Sequence, residues 1–187
     1  NKTRRYLAAK VFSYTSYYDT LIAKFFNDLV GIKFPDYLSL GYKKKEQLRY
    51  GENPHQEACL YTESSIDGGS ILSGVKLHGK ELSYNNINDG NAAISIIKEF
   101  ERPTAVAIKH ANPCGVASGE NILKAYKKAY ECDSESIFGG IVALNRQVDE
   151  DLAKELNKIF LEIVIAPSFS DAALEVLKGK KNIRLIK

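Results

Sequence analysis

A chain of 187 residues with 44% hydrophobic and 26% charged residues can bury one sizeable core but leaves little room for two full domains. Its formal net charge of +3 is small, and its densest basic run, residues 43–45, is followed at once by Glu46, so no nucleic acid partner is expected. No run of eighteen apolar residues occurs, so no membrane partner is expected and the protein is predicted to be cytoplasmic.

The first predicted element is a long amphipathic helix over residues 3–29. Apolar residues recur along it in steps of three and four, and Gly31 follows as a helix-ending residue. A helix of about 25 residues is longer than the globular mean, and a polar stretch containing Pro35 comes after it. Residues 1–36 are therefore predicted to link two domains.

Residues 37–187 are predicted to form an α/β layer domain. A strand over residues 56–62 precedes a loop region punctuated by Gly68, Gly69, Gly74 and Gly79. Further strands are predicted at 105–109, 140–144, 163–166 and 183–186. The helices between them are predicted from a cap at Asn88 or Asp89 to Phe100, from Ser118 to Tyr130, from Asp149 to Phe160, and from Ser170 to Lys178. This alternation predicts a mostly parallel sheet covered on both faces.

The cysteines and histidines give no sign of a metal. Cys59, Cys114 and Cys132 are an odd number without CxxC spacing, and the three histidines lack the spacing of metal ligands. Neither a disulfide framework nor a catalytic metal is therefore expected. The sequence also contains no methionine, even at its first position, so we expect it to be a piece of a longer protein.

Lys109 and His110 follow directly after a predicted strand. In parallel α/β sheets, ligands collect beyond the carboxyl ends of the strands, so this ammonium and imidazole are candidates for a functional site. A tight turn that carries a surface lysine and a hydrogen-bonded histidine accounts for the same residues equally well.

Three more motifs contain groups that could bind a ligand. Residues 48–56 include Arg49, which can grip a phosphate, and Tyr50, which can stack on a base. Residues 83–91 precede a helix whose N-terminal amides favour anions, and residues 136–140 end in adjacent glycines that permit close approach of a ligand. Polar turns, caps and bends use the same residue types, so each motif alone is weak.

Together, residues 48–56, 77–92, 109–116 and 136–146 closely resemble the bifunctional family that fuses aminoimidazole carboxamide ribonucleotide (AICAR) formyltransferase with IMP cyclohydrolase. The four motifs occur in the family's order, and the resemblance covers essentially the whole chain. It implies that residues 1–36 are the linker helix from the cyclohydrolase domain. Residues 37–187 would then be the first half of the formyltransferase domain.

The resemblance also implies a three-layer, cytidine-deaminase-like α/β fold without zinc, and a homodimer. The implied reaction transfers a formyl group from 10-formyltetrahydrofolate, the folate cosubstrate, to the amine of AICAR in purine synthesis. The implied catalytic residues are Lys109 and His110, and the implied nucleotide-binding residues are Arg49, Tyr50, Asn86, Gly139 and Glu162, the last at the position of a family aspartate near the ribose. Because half of the transferase is missing, the chain alone is expected to be inactive.

The chemistry of the amine suggests the roles of the Lys–His pair. The AICAR amine is a poor nucleophile because its lone pair is delocalised into the ring, so a base must take its proton during attack. An imidazole suits this task, which assigns His110 as general base and Lys109 as the group that stabilises the oxyanion. Both serve one site only if the strand ends there, because consecutive strand residues face opposite sides. Pro113 and Gly115 favour such an end.

Two other classes of function were weighed against this one. A zinc deaminase on similar layers needs HxE and PCxxC motifs, which the sequence lacks. A noncatalytic nucleotide-binding module, in which Lys109 and His110 merely hold a phosphate, stays open for a chain that contains only part of the transferase.

Overall fold

The structure, a computed structural model, describes residues 1–63 and 69–187. Gly68, the first glycine of the predicted loop region, lies outside the described residues. The chain divides into two compact units, Asn1–Gln47 with Cys59–Ser65, and Leu48–Ala58 with Ile66–Lys187. Within the described ranges, no helix is both long enough and apolar enough to cross a membrane.

The first unit contains a 29-residue helix, α1 (Lys2–Val30), and a hairpin of two antiparallel strands, β1 (Lys43–Gln47) and β2 (Cys59–Thr62). The side chain of Asn1 caps the start of α1, and Gly31 ends it in the left-handed conformation at φ 72°. The predicted long helix is therefore confirmed. The predicted strand begins later than expected, at Cys59, and its partner β1 escaped prediction because all five of its residues are polar and exposed.

The second unit is built on a six-stranded sheet. Its strands are β3 (Lys76–His78), β4 (Thr104–Lys109), β5 (Asn112–Ser118), β6 (Ile141–Leu144), β7 (Ile163–Ile165) and β8 (Arg184–Ile186). They lie in the order β3-β8-β7-β6-β4-β5. Only the pairs β6–β7 and β7–β8 are parallel, and the other three pairs are antiparallel. The prediction of a mostly parallel sheet is therefore wrong.

The wrong prediction comes mainly from β5. Its proline and glycine indicated a turn, but Pro113 and Gly115 both lie in a strand that returns antiparallel to β4 after only two residues. Because β5 is the last strand in the order of the sheet, the missing N–H of Pro113 is tolerated there. An α/β alternation assumes a helix between successive strands, and here a hairpin replaces it.

In the described residues of the second unit, four helices and one short 3-10 turn accompany the sheet. The turn spans Ile71–Ser73, and the helices are α2 (Tyr84–Ile97), α3 (Ile122–Cys132), α4 (Glu150–Leu156) and α5 (Asp171–Lys178). Ser170 caps α5, as predicted, and Asp149 caps α4, which was predicted to start at that residue. The predicted cap of α3 is wrong, because Ser118 lies in β5 and Asn121 caps the helix. The predicted extension of α4 to Phe160 is also wrong, since the helix ends at Leu156.

Helix α2 begins earlier than predicted. Ser83 caps it, and its side chain and that of Asn86 bond reciprocally to each other's backbone N–H groups in a capping box. The predicted caps, Asn88 and Asp89, lie within the helix. The run of asparagines looked like a turn, because such side chains compete with helical hydrogen bonds unless a cap and packing hold them.

Apolar side chains cover both faces of the sheet. Ala105 and Ala107 of β4 belong to the core under α3, α4 and α5, whereas Val106 and Ile108 belong to the core under α2. This alternation is the period of a strand buried on both sides. Complete burial of one such aliphatic side chain stabilises the fold by about 1.5–3 kcal/mol. Helices therefore pack on both faces, as predicted.

The loops that form the candidate functional site lie at one end of this sheet. Ile108 pairs with Ile141, Ile141 with Ile163, and Ile163 with Arg184. The carboxyl end of β4 therefore lies beside the amino ends of β6, β7 and β8, and we call this the upper end of the sheet.

Candidate functional site

A polar pocket of about 190 Å³ opens at the upper end of the sheet. The residues that line it are Arg49, Tyr50, Lys80, Ser83, Asn86, Phe160, Glu162, Asn182 and Arg184. Three of these are cationic and one is anionic, so the pocket favours an anion. Four of the five sequence-predicted nucleotide-binding residues lie here. The fifth, Gly139, does not line the pocket but is hydrogen-bonded to Phe160, which does.

Arg49 and Tyr50 act as a pair. Their loop is closed by backbone hydrogen bonds from Leu48 N–H to Ala58 O and from Gly51 N–H to Gln56 O, at N–O distances of 3.0 and 2.8 Å. The Arg49 guanidinium lies 4.8 Å from the centroid of the Tyr50 ring and donates to the Tyr50 hydroxyl at 3.2 Å. This contact holds a bidentate cation at the pocket, which suits a phosphate group.

A second group joins α2 to the starts of β7 and β8. Asn86 Nδ2 donates to Glu162 Oε2 at 2.6 Å, and Arg184 Nη1 lies 3.5 Å from the same oxygen. Arg184 also donates twice to Glu81 O, from Nε and Nη2, at 3.0 Å each. Its side chain is 10% exposed, and burial lowers the pKa of its guanidinium, while Glu162 opposes that shift. The carboxylate of Glu162 is thereby fixed between an amide and a cation.

Lys109 and His110 lie where β4 ends, as the assignment to one site requires. Lys109 pairs with Asn112, so His110 and Ala111 alone form the hairpin turn. Both are in the left-handed region, at φ 54° and 58°. Such a conformation costs a non-glycine residue roughly 1–2 kcal/mol. The half-buried Lys109 donates from Nζ to Phe138 O at 3.0 Å, and His110 is exposed.

Two structural links join this turn to the pocket, although neither Lys109 nor His110 lines it. Asp89, one helical turn after the pocket residue Asn86, accepts the Ala111 N–H through Oδ1 at 2.8 Å. On the other side, the ring of Phe138 lies 5.6 Å from that of Phe160, and Gly139 N–H donates to Phe160 O at 2.8 Å. The structure therefore brings the predicted residues to one end of the sheet.

The model of the AICARFT/IMPCHase bienzyme family matches residues 1–187. The chain belongs to this family. It is 61% identical over 186 residues to the bifunctional purine biosynthesis protein PurH of Acetivibrio thermocellus, covering 99% of this chain. It is 59% identical over 187 residues to PurH of Ruminiclostridium cellulolyticum and 58% over 185 residues to that of Halalkalibacterium halodurans, with 100% and 99% of this chain covered. The chain spans 36% of the length of each of these relatives.

The adjacent glycines of this AICARFT/IMPCHase chain, Gly139 and Gly140, have separate structural roles. Gly139 adopts φ 74°, which a residue without a side chain reaches at little cost. A Cβ on Gly140 would lie 2.7 Å from Ile108 O and 3.0 Å from Ile137 O. Gly140 therefore allows β6 to approach β4, and the close approach that the sequence suggested is made by the chain's own backbone.

Sequence reasoning did not assign five of the residues that line the pocket, namely Lys80, Ser83, Phe160, Asn182 and Arg184, and it gave no role to Asp89. It looked for functional groups after strands, yet Gly139, Glu162 and Arg184 come just before or at the start of β6, β7 and β8. Arg184 did leave a signal, because a charged residue inside an apolar strand is rarely buried without a partner. Lys80 and Asp89 lie within the motif of residues 77–92, but nothing in that motif marked either of them as a site contact.

Two titratable groups near the turn, Cys114 and Asp133, have shifted pKa values. Burial raises the pKa of the Cys114 thiol, Asp133 and Asp89 add to that effect, and Lys109 opposes it. The pKa of Asp133 is lowered, first by hydrogen bonds from Ser136 and in smaller part by Lys109. Lys109 therefore contributes to the electrostatics of both Cys114 and Asp133. In the described part of the chain, no cluster of three or more His, Cys, Asp or Glu side chains is placed to hold a metal ion.

Proposed function

We propose that this chain carries the nucleotide-binding part of an AICAR formyltransferase site, within a protein that is also an IMP cyclohydrolase. The observation that carries the proposal is the polar pocket of Arg49, Asn86 and Glu162, linked through α2 and Phe160 to the Lys109–His110 turn, in a chain of this family. We assign residues 1–36 to the linker and 37–187 to the first half of a cytidine-deaminase-like transferase that forms a homodimer.

Each pocket residue binds a different part of the nucleotide. Arg49, supported by Tyr50, grips the phosphate, which matches the excess of cations in the pocket. Asn86 has two amide N–H groups and gives one to Glu162, so the other serves the nucleotide. Glu162, held by Asn86 and Arg184, accepts from the ribose, and Gly139 lies beside the base.

The transfer step requires this chain to accept one proton and to stabilise one negative charge on the intermediate. The amine nitrogen of AICAR attacks the formyl carbon of 10-formyltetrahydrofolate, and the amine proton passes to His110. Lys109 stabilises the negative oxygen of the tetrahedral intermediate. The bond from the formyl carbon to N10 of the folate then breaks, and N10 takes up the proton from His110 as it leaves, which restores the neutral imidazole.

A second candidate is a nucleotide-binding piece without turnover. It is favoured by the exposure of His110 outside the pocket and by the span of only 36% of the relatives' length. We assign further catalytic and folate-binding groups to the second half of the transferase. The two candidates differ only in whether this part of the chain supports formyl transfer when the second half of the transferase is present.

Calorimetry and a transfer assay separate these candidates. We expect the 187-residue chain to bind AICAR but to show no formyl transfer, and a full-length protein that carries this sequence to show both. Arg49→Ala in the chain removes the contact to the phosphate and is expected to abolish most of the heat of AICAR binding. The matched control is Arg102→Ala, which changes an exposed arginine outside the pocket and should leave that heat unchanged. Transfer by the chain alone would refute the need for the second half. No transfer by the full-length protein would refute the function itself.

A further inference from the structure

The turn at His110 and Ala111 has an unusual composition for its geometry. Two-residue hairpin loops with positive φ at both positions are normally built from Asn-Gly, Asp-Gly or Gly-Gly. These two are also the only non-glycine residues with positive φ in the described part of the chain. A strained conformation persists only where its surroundings enforce it, so the contacts around the turn carry information about function.

Three side chains hold this turn from different directions. Asn112 Nδ2 donates to His110 O at 2.8 Å, and Lys109 Nζ donates to Phe138 O at 3.0 Å. The third bond comes from outside the hairpin, since Asp89 Oδ1 accepts the Ala111 N–H at 2.8 Å across 22 residues of sequence. Asp89 is therefore the contact that ties the turn to α2.

Helix α2 also fixes the nucleotide pocket. Asn86 lies three residues before Asp89, and its amide is held by the Ser83 capping box and by Glu162. One rigid helix thus sets the position of a pocket amide and, through Asp89, the position of the residue after His110. A shift of the turn relative to α2 would separate the base from the bound nucleotide.

We propose that Asp89 is a positioning residue for formyl transfer. Its carboxylate acts through the backbone N–H of Ala111, holds the left-handed turn in place, and so aims His110 at the amine of the bound nucleotide. This inference rests on the proposed function, in which His110 is the base. Asp89 itself does not touch the substrate.

Kinetics of a full-length protein that carries this sequence test the proposal. Asp89→Ala is expected to lower kcat by about a hundredfold, the scale of a misplaced catalytic group, with little change in the KM for AICAR. Asp89→Asn keeps an oxygen that accepts the Ala111 N–H and is expected to retain most of the rate. Asn88→Ala, an exposed neighbour on the same helix, is the control and leaves kcat unchanged.

A rescue variant separates positioning from a general loss of structure. Glycine enters the left-handed region freely, so Ala111→Gly is expected to raise Tm and, combined with Asp89→Ala, to restore Tm but not kcat, because it relieves the strain without tying the turn to α2. An unchanged kcat in Asp89→Ala, an equal loss in Asp89→Asn, or recovery of kcat with Ala111→Gly would overturn the positioning role. The Tm changes do not depend on the reaction. If His110→Ala keeps full activity, the proposed function fails, whatever these variants show.

Discussion

His110→Ala in a full-length protein that carries this sequence is expected to lower kcat by about a hundredfold to ten-thousandfold while AICAR binding stays nearly intact. The amine must lose its proton during attack, and without a base this step becomes rate-limiting. His110 is exposed at the tip of a two-residue turn and does not line the pocket, so its removal leaves the nucleotide contacts in place.

The size of this effect decides between a base and a structural histidine. Loss of general-base assistance corresponds to about 3–5.5 kcal/mol of barrier, whereas loss of a neutral hydrogen bond costs about 0.5–1.5 kcal/mol. Steady-state kinetics over a range of pH measure both the rate and the acidic limb of the profile. Arg49→Ala is the contrasting control and is expected to raise the KM for AICAR with a near-normal kcat. A tenfold loss or less, with the acidic limb unchanged, would mean that the proton acceptor lies elsewhere.

Lys109→Ala is expected to have the second largest effect, a loss of about a hundredfold to a thousandfold in kcat, the scale of one lost oxyanion donor. Lys109 is half-buried and donates to Phe138 O at 3.0 Å, so its ammonium is held in one place. A group fixed in advance stabilises charge in the transition state without reorganisation.

The double variant tests whether the two residues act on one transition state. We expect the combined loss of Lys109→Ala and His110→Ala to be smaller than the product of the single losses, because groups that act together fail together. Lys109→Met keeps the aliphatic stem and controls for packing, and it should lose as much rate as Lys109→Ala. A fully multiplicative double variant, or recovery of the rate in Lys109→Met, would contradict the role of the ammonium.

Much of the fold could be predicted from local patterns. The helix α1 and the strands β4, β6, β7 and β8 were found, because apolar residues repeat there with a clear period or in short unbroken runs. The direction of the strands could not be predicted, since it depends on which strands pair. The strand β5 could not be predicted either. Its Pro113 and Gly115 indicate a turn locally, and only its pairing with β4 makes it a strand.

The site was found only in part for a similar reason. Lys109, Arg49 and Asn86 lie in polar motifs that are visible in the sequence, and the family resemblance gave them roles. The bond from Ala111 to Asp89 spans 22 residues, and Arg184 reaches Glu81 across 103, so no local pattern marks either contact. Even the turn was hidden, because neither of its residues is one that normally adopts positive φ.

A crystal structure of a full-length protein that carries this sequence, bound to AICAR, tests the central claim most directly. We expect the phosphate to lie against Arg49 in the pocket at the upper end of the sheet. The amine nitrogen should lie within hydrogen-bond reach of a ring nitrogen of His110, about 2.6–3.2 Å. A nucleotide bound away from this pocket, or an amine facing away from the Lys109–His110 turn, would contradict the account.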